Sequence, residues 1–352
     1  MDDFSMNEPK ISVVVLNYNG VQWLSKCFES LEKQTIFPEL EIILTDNNST
    51  DDSVKFTEAW LARSGARGRV VQNGANLYYC GANNNGAAAG TGKYFLFLNN
   101  DTWLEADCLE KLFAAVESAG ASAATPLVLN YDDNTVQNYG ASGLDLFGMT
   151  AHMPAVTATT EEFASCGCSL LVQADMFRKI GGFAPELLIY ADETDICWRV
   201  WIAGGKAVVV PSARVHHRGA AVANPAGGSK HVESRTTDSK RFLSTRNGLL
   251  LVAKNAQHLL LLLLLSQMLL LLAEAVFSLC LTRRWSHVKK SYLDAFAAVF
   301  KMRPHIREWR RKIKGFRQRG DFWMLRFIRL MPCRLVEAKN LMKLGAPKID
   351  AK

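Results

Sequence analysis

The sequence predicts an α/β fold, in which a mostly parallel sheet carries helices on both faces, followed by a C-terminal membrane-associated helical region. Before residue 220, short β-branched apolar runs alternate with segments whose apolar residues recur at helical spacing. Strands that alternate with helices form parallel sheets covered on both faces. From Leu259 to Leu281 the chain has one charge, Glu274, and a helix of that length, at about 1.5 Å per residue, can cross a bilayer.

Individual runs give the predicted elements. ISVVVLNYNG (11–20) is a buried strand ended by turn residues, and the following run places Leu24, Cys27 and Phe28 on one side of a helix. NLYYCGANNNGAAAG is interpreted as a Gly/Asn-rich segment. Further strands are predicted in LEIILTD, GRVVQ, YFLFLN, the start of FASCGCSLLVQADMFRKIGGF and KAVVVPSARVHH, and further helices in VKFTEAWLARSG, the end of the FASCGC run and YADETDICWRVWIAGG.

Charge divides the chain. Residues 283–352 hold 20 Lys or Arg and 5 Asp or Glu, a local charge of +15, while the rest of the chain has a charge of −8. Such asymmetry indicates a polyanionic partner, either an anionic membrane surface or nucleic acid. The adjacent leucine run favours the membrane. We therefore expect a catalytic domain at 1–248, an apolar membrane-associated helix at 249–282 and a basic, aromatic-containing helical tail at 283–352.

The apolar segment contains a narrow polar stripe. Gln267, Glu274 and Ser278 recur at positions i, i+7 and i+11, on one side of a helix. A single span would place the basic tail and the body in opposite compartments, which the positive-inside tendency disfavours when the body is cytosolic. The sequence therefore favours a helix that lies in or re-enters the cytoplasmic leaflet, with a single span as the alternative.

The N-terminus and the cysteines favour a cytosolic location. MDDFSMNEPK is acidic and polar, so no signal peptide is predicted. The eight cysteines show no paired CxxC spacing, which is typical of reduced thiols. Cys166 and Cys168 flank one glycine but have no second pair with which to form a metal site.

Polar residues follow several of the predicted strands. Asn17, Asp46 and the run Asn99, Asn100, Asp101 all stand at carboxyl ends of strands, where α/β sheets bind ligands. A carboxylate beside amides suits a hard divalent ion that bridges a diphosphate. The alternative is a turn that caps the next helix.

A second acidic group begins a later predicted helix. Asp192, Glu193 and Asp195 lie within four residues, and their mutual repulsion raises a carboxyl pKa toward that of a usable base. Acids in a first turn also complement the helix dipole. Next along the chain, adjacent His216 and His217 end a strand and point to opposite faces, so at most one can enter the crevice as a metal ligand.

Taken in order, these motifs resemble the inverting family 2 glycosyltransferases of GT-A fold, over about residues 10–220. The matching runs are ISVVVLNYNG, EIILTDNNSTDDS, NLYYCGANNNG, YFLFLNNDT, GGF, YADETDICWRVWIAGG and VPSARVHH. Within the family, they are most similar to the branch of rhamnosyltransferases that act on cell-surface polysaccharide and lipid-linked acceptors. The chain departs from the family where GGFAPE replaces GGFDE and where Asn99 replaces an aspartate.

The resemblance implies roles for particular residues. Asp101 and His217 would hold Mg²⁺ or Mn²⁺, and the base would be Glu193 or its neighbour Asp192. Gly167, Asp195, Trp198 and Arg199 would support the site or the acceptor. The nucleotide of the donor, with Asp46 at its base, would contact Asn17, Tyr18, Asp46, Asn48, Asn76, Gly81, Asn84, Asn99 and Asn100.

The function expected from these features is inverting transfer of a sugar, rhamnose for this branch, from a nucleoside-diphosphate sugar. The acceptor would be lipid-linked or a polysaccharide at the cytoplasmic membrane face. Galactofuranosyl, mannosyl or glucosyl transfer are alternatives within the fold. A nucleotidyltransferase would need a basic loop near the N-terminus, and NYNGVQWL has no Lys or Arg. A non-catalytic membrane scaffold would not need the acidic residues at strand and helix ends.

Overall fold

The computed structural model describes residues 8–219, 235–333 and 348–350. Its strands are β1 Ile11–Asn17, β2 Leu40–Asp46, β3 Arg67–Gln72, β4 Tyr94–Asn99, β5 Thr102–Leu104, β6 Ala123–Asn130, β7 Val136–Asn138, β8 Ala141–Asp145, β9 Thr150–His152, β10 Thr160–Glu161, β11 Ser169–Gln173, β12 Ala207–His217, β13 Arg235–Thr237, β14 Ile328–Arg329 and β15 Lys348–Asp350. Its helices are α1 Val21–Glu32, α2 Ser53–Ser64, α3 Tyr78–Ala89, α4 Cys108–Ala119, α5 Ala174–Lys179, α6 Asp192–Ile202, α7 Asp238–Asn255, α8 Leu262–Thr282, α9 Trp285–Val288, α10 Asp294–Lys301, α11 Arg303–Phe316 and α12 Asp321–Met324.

One large sheet organises the molecule, with strands in the order β10-β12-β6-β11-β4-β1-β2-β3. Strands β4, β1, β2 and β3 are parallel, as the sequence predicts. Beyond β4 the sheet is mixed, because β11 is antiparallel to both β4 and β6, whereas β12 is parallel to β6. A parallel neighbour would need a crossover. Between β6 and β11, strands β8 and β9 form a second, three-stranded sheet with β14 of the C-terminal region.

The sheet is covered by helices on both faces, which confirms that part of the prediction. Val13 and Val15 of β1 lie in one apolar cluster with side chains of α1, α2 and α4. Val14 points to the other face and lies in the cluster formed with α3, α5, α6 and α7. Because side chains alternate along a strand, a run buried on both faces is apolar at every position.

Helix α3 occupies the run interpreted from sequence as a Gly/Asn-rich segment. Its low helix propensity is offset by close packing on the sheet, where Asn83 is fully buried. A Cβ at Gly86 would lie 2.3 Å from both Val14 Cγ1 and Thr45 Oγ1. Only glycine permits this approach, so the glycine marks a packing contact rather than a loop.

The predicted boundary at residue 248 falls inside α7, and the structure does not divide the chain there. Leu250, Leu251 and Val252 belong to the same core cluster as α5 and α6. Trp309 of α11 and Phe327 also belong to this cluster. The C-terminal helices therefore complete the core of the preceding α/β body. Parts of the predicted basic tail, 334–347 and 351–352, lie outside the described residues.

Helix α8 presents its two long polar side chains to the protein and an apolar face to the outside. Gln267 is buried, and Glu274 forms an ion pair with Arg241 of α7. Exposed side chains recur along the opposite side at Leu262, Leu265, Leu269, Leu272 and Val276. By length and composition alone, Leu259–Thr282 could cross a membrane, and 28% of its most apolar window is buried.

A buried ionic cluster joins α6 to α7. The Asp195 carboxylate accepts hydrogen bonds from Arg199 Nη2 at 2.7 Å, Lys254 Nζ at 2.9 Å and Asn255 Nδ2 at 2.8 Å. Arg199 also donates to the carbonyl oxygens of Ile180 and Gly182. Burial would raise the pKa of Asp195, but the charges of Arg199 and Lys254 lower it to about 2. The carboxylate is therefore ionised at neutral pH.

We expect Asp195→Asn to lower the free energy of unfolding by about 3–5 kcal/mol, because it leaves two buried cations without a counter-ion. Chemical denaturation at neutral pH measures this. The matched control is Asp175→Asn, which breaks an exposed pair with Arg178 and should leave stability almost unchanged. Equal effects of the two substitutions would contradict the role given to the buried cluster.

Candidate active site

A crevice of about 370 Å³ opens at the carboxyl ends of the parallel strands. Among the described residues that line it, none is Lys or Arg. The predicted residues Tyr18, Asn76, Asn99, Asn100 and Asp101 line it, and so do Leu16, Asn19, Gly20, Trp23, Asn47, Tyr78, Tyr79 and Ile189, which the sequence did not single out. The position of the crevice is the one expected for an α/β sheet.

Amide and carboxylate side chains support the floor of this crevice: Asn100 lines it, whereas the predicted residues Asn17 and Asp46 lie buried beneath it. Asn17 Nδ2 donates to Asp46 Oδ1 at 3.1 Å, and Asn17 Oδ1 accepts from Asn100 Nδ2 at 2.6 Å. Ser49 donates to Asp46 from both its hydroxyl, at 2.6 Å, and its backbone nitrogen, at 2.9 Å. Three neighbouring strand ends are thus tied together, with Asp46 nearly buried beneath them.

Two exposed tyrosines stand at the mouth of the crevice. Tyr18 is 53% exposed and Tyr78 is 47% exposed, although large aromatic side chains are usually well buried. Tyr78 has a left-handed φ of 55°, and its backbone N–H donates to Asn76 Oδ1. Two open aromatic faces beside a polar floor are suited to stacking on a planar ring.

Asp101 and His217 face each other at one side of the crevice, with Oδ1 and Nε2 3.4 Å apart. His217 Nδ1 donates to Gln137 Oε1 at 2.8 Å, so in the neutral ring Nε2 keeps its lone pair toward Asp101. Burial alone would lower the pKa of His217, but the hydrogen bond and charge of Asp101 raise it. The charge of Asp101 thus favours positive charge at this side of the crevice, whether it is a proton on His217 or a bound cation.

These two residues fit a divalent ion held partly by its substrate. Within 8–219, 235–333 and 348–350, no group of three His, Cys, Asp or Glu side chains could hold a metal by itself. The other ligands would be diphosphate oxygens and water, as is usual for Mg²⁺. Because no lining residue is Lys or Arg, such an ion would be the group that neutralises the negative charge of the diphosphate. His216 points away and stacks on Trp103, with ring centroids 3.5 Å apart.

Asp192 and Glu193 lie next to the crevice at the start of α6. A Cβ at Gly167 would be 3.5 Å from Glu193 Oε2 and 3.9 Å from Asp192 Oδ2. The Gly167 carbonyl accepts from the hydroxyl of Tyr79 at 2.6 Å, and Tyr79 lines the crevice. The glycine thus leaves room beside both carboxyl groups.

Burial raises the pKa of both carboxyl groups, and the charge of Glu193 raises that of Asp192 further. Asp192 is buried, whereas Glu193 is partly exposed. A hydrogen bond from Asp192 favours the ionised form of Glu193. The pair can therefore hold one proton on Asp192 while the accessible Glu193 remains a carboxylate.

The remaining predicted residues have mainly structural contacts. Asn48 is exposed after β2 with a φ of 67°, and Gly81 lies within α3. Asn84 exchanges two 2.9 Å hydrogen bonds with the backbone of Phe183. Trp198 and Arg199 are fully buried, and like Asp195 they act within the core behind the carboxylates rather than on the crevice wall.

The fold and crevice define a GT-A-type domain, and comparison with known proteins identifies its family. Residues 12–181 match the family described as Glycosyl transferase family 2. Glycosyltransferase GlyG of Streptococcus pneumoniae is 32% identical over 124 residues, which are 35% of this chain and 40% of GlyG. The GalNAc(5)-diNAcBac-PP-undecaprenol beta-1,3-glucosyltransferase of Campylobacter jejuni is 29% identical over 140 residues, 39% of this chain and 44% of that protein. The chain thus spans less than half the length of these relatives.

Solved structures agree on the fold. Residues 1–349 of S. aureus TarS, in complex with UDP-GlcNAc, have a TM-score of 0.56 at 14% identity, covering 87% of this chain and 89% of that TarS fragment. Mannosyltransferase PcManGT of Pyrobaculum calidifontis, in complex with GDP-Man and Mn²⁺, has a TM-score of 0.51 at 14% identity, covering 88% and 85%. The chain therefore carries a family 2 glycosyltransferase domain, which confirms the predicted family and fold. The rhamnosyltransferase branch stays a prediction.

We expect Asp101→Asn to weaken Mn²⁺-dependent binding of UDP or GDP at least tenfold, because a neutral amide replaces the charged ligand. Isothermal titration with and without the metal measures this. His216→Gln is the matched control, since His216 faces away from Asp101, and it should bind as the wild type does. Metal-dependent nucleotide binding that survives in Asp101→Asn would place the ion elsewhere.

Proposed function

We propose that the protein is an inverting glycosyltransferase that moves a sugar from a nucleoside-diphosphate sugar to an acceptor hydroxyl, with Mg²⁺ or Mn²⁺ as cofactor. The observation that supports this is the arrangement of two pairs of side chains at one crevice, one an aspartate with a histidine and the other two acids. Asp101 with His217 lies on one side, and Asp192 with Glu193 lies beside Gly167. A charge-stabilising group and a base are what a single displacement at the anomeric carbon requires.

The donor would occupy the crevice over the strand ends. Tyr18 and Tyr78 offer aromatic faces to the nucleobase, and the floor built on Asn17, Asp46 and Asn100 offers polar groups to the nucleoside. The metal would stabilise negative charge on the departing diphosphate. The ligands of these structural neighbours, UDP-GlcNAc and GDP-Man, are nucleotide sugars. The lack of Lys and Arg among the residues that line the crevice argues against a nucleotidyltransferase.

Glu193 would act as the base, with Asp192 as its support. The base must take the proton of the acceptor hydroxyl as the oxygen attacks the anomeric carbon. Glu193 is partly exposed, whereas burial and the charge of Glu193 raise the pKa of Asp192, so Asp192 would hold the proton that the two carboxyl groups share. Because one base and no enzyme nucleophile are used, the anomeric configuration is inverted, unlike in the two-carboxylate retaining scheme.

We propose a lipid-linked or polysaccharide acceptor and, from the resemblance, rhamnose as the sugar, with galactofuranose, mannose and glucose as alternatives. The name of the Campylobacter relative describes a polyprenyl-diphosphate-linked acceptor. The exposed leucine stripe of α8 is followed by Trp285, 57% exposed, and by the basic residues Arg283 and Arg284. An apolar face beside cationic side chains and an interfacial tryptophan suits a helix lying in an anionic leaflet.

On this basis the enzyme works at the cytoplasmic face of the cell membrane, where such an acceptor is reached. Apolar burial by α8 and attraction of the basic residues would act together, since each signal alone is weak. Nucleic acid would not be a partner. The polar contacts of α8 with the body leave only its apolar side for lipid, which supports an in-plane helix over a span.

The direct test is to incubate the full chain with nucleotide sugars, Mn²⁺ or Mg²⁺ and a polyprenyl-diphosphate-linked acceptor, and to read the products by mass.

We expect Glu193→Gln to lower kcat by about two to four orders of magnitude while nucleotide binding persists. The pKa of Glu193 is raised, and a base must be ionised to accept a proton. The wild-type rate should therefore fall as the pH decreases, and the fall should begin at pH values above the usual pKa range of glutamate. If Glu193→Gln transferred sugar at the wild-type rate and Asp192→Asn were inactive, Asp192 would be the base and Glu193 its support.

We expect Leu265→Glu combined with Leu269→Glu to reduce binding to anionic vesicles at least tenfold, because each change removes apolar burial of about 1.5–3 kcal/mol. Co-sedimentation in high salt measures this. Val136→Glu, at an exposed apolar residue of β7, is the control and should bind normally. Proteolysis of residues 283–333 from outside sealed, right-side-out vesicles would show that α8 spans the membrane.

A further inference from the structure

The six residues before the catalytic carboxylates, Glu186–Ala191, form a strained turn. Leu188, Tyr190 and Ala191 have φ values of 64°, 74° and 61°, a region that non-glycine residues rarely occupy. At Leu188, with ψ of −69°, the Ile189 N–H donates to the Leu187 carbonyl at 2.8 Å, which is the rare γ-turn with positive φ. Such a conformation persists only when its surroundings impose it.

A single buried amide imposes much of this conformation. Asn247 of α7 is fully buried, and its Nδ2 lies 2.7 Å from the Leu187 carbonyl oxygen. The same nitrogen lies 2.8 Å from the Ile189 carbonyl oxygen and 3.0 Å from that of Tyr190. Three carbonyl groups that would diverge in an extended chain therefore converge on one donor group.

The neighbouring arginine fixes the direction of that amide. Arg246 Nε donates to Asn247 Oδ1 at 2.9 Å, so the amide nitrogen must face the turn. Arg246 Nη2 also donates to the carbonyl oxygens of Glu186, at 2.9 Å, and Leu187, at 3.2 Å. The orientation of Asn247 is thus set independently of the turn it holds.

The two carbonyl oxygens that α7 does not contact are held from other helices. The Leu188 carbonyl accepts from the Cys80 N–H of α3, and the Ala191 carbonyl accepts from the Asp195 N–H of α6. Every carbonyl oxygen from Glu186 to Ala191 therefore has a donor. A backbone segment paired at each position has one arrangement, and it leads directly into Asp192 and Glu193.

From these contacts we infer that Asn247, oriented by Arg246, is a positioning residue that sets where the Asp192–Glu193 pair enters the crevice. The inference rests on the proposed function. Asn247 does not contact Asp101. It also does not contact the floor residues Asn17, Asp46 and Asn100, so it acts on the base and not on the donor site. Asn247 binds the backbone carbonyl oxygen of Ile189, whose residue lines the crevice but is not among the groups assigned above to the nucleotide or the metal. Loss of the clamp should therefore lower kcat and leave the donor affinity unchanged.

The test compares Asn247→Asp and Asn247→Ala with Leu249→Ala in the full chain. Leu249 is equally buried on α7 but packs with Leu271 and Tyr292, away from the turn. We expect both Asn247 variants to lose about 10- to 100-fold in kcat, since a displacement near 1 Å has that effect, with the Kd for UDP and Mn²⁺ within about twofold. Leu249→Ala should lower Tm and retain kcat.

A second readout does not depend on transfer. Amide hydrogen exchange, followed by mass spectrometry on a peptide covering 186–193, should accelerate in Asn247→Ala and not in Leu249→Ala. Unchanged exchange in the folded variant overturns the inference, as does a wild-type kcat or an equal loss of kcat in Leu249→Ala. If exchange accelerates but the wild type transfers no sugar, the proposed function fails and the clamp on the turn stands.

Discussion

The buried carboxylate of Asp195 is the contact on which the rest of the arrangement depends. An isolated buried charge is costly, and this one is retained because Arg199, Lys254 and Asn255 surround it. Trp309 of α11 lies over both cations, 4.7 Å from the Arg199 guanidinium carbon and 4.2 Å from Lys254 Nζ. The helix that begins with Asp192 and Glu193 is thereby fixed to α7 and covered by the C-terminal region.

This attachment explains why catalytic domain and C-terminal helices share one core. Helix α6 brings Asp192 and Glu193 to the crevice, α7 holds the turn before them, and α8 packs on α7 with its leucines outward. The surface that we propose for the membrane is therefore one helix away from the elements that hold the base. An acceptor presented by a bilayer would meet a catalytic centre whose orientation to that bilayer is fixed.

The sequence predicted those parts of the site that depend on short-range rules. Asn17, Asp46 and Asn99 end apolar runs, and parallel strands must bring such ends together. Adjacent histidines must point apart, and the structure sends His217 to Asp101 and His216 to Trp103. Periodicity does not reveal tertiary partners. Helix α3 has a poor helical composition and is stabilised by the sheet. The continuation of α7 across residue 248 was not predicted, because its partners, Asp195 and the turn at 186–191, are distant in sequence.

The same limit applies to single residues. Trp198 and Arg199 follow Asp192 and Glu193 closely in the sequence, but their positions on the helix direct their side chains into the core. Tyr79 and Ile189 also line the crevice, although neither is a polar residue at the end of a predicted strand. The double glycine at 181–182 indicates a turn. The side chains that hold this turn, Arg199 at the Gly182 carbonyl and Asn84 at the Phe183 backbone, could be found only in three dimensions.

The anomeric configuration of the first-formed product tests most directly whether one carboxylate pair performs a single displacement. Proton NMR of the reaction with the donor that proves active, recorded before the product can anomerise, measures it. Inversion relative to the donor is the predicted result. Retention would require a covalent intermediate or another route on the donor face, and would contradict the roles given to Asp192 and Glu193.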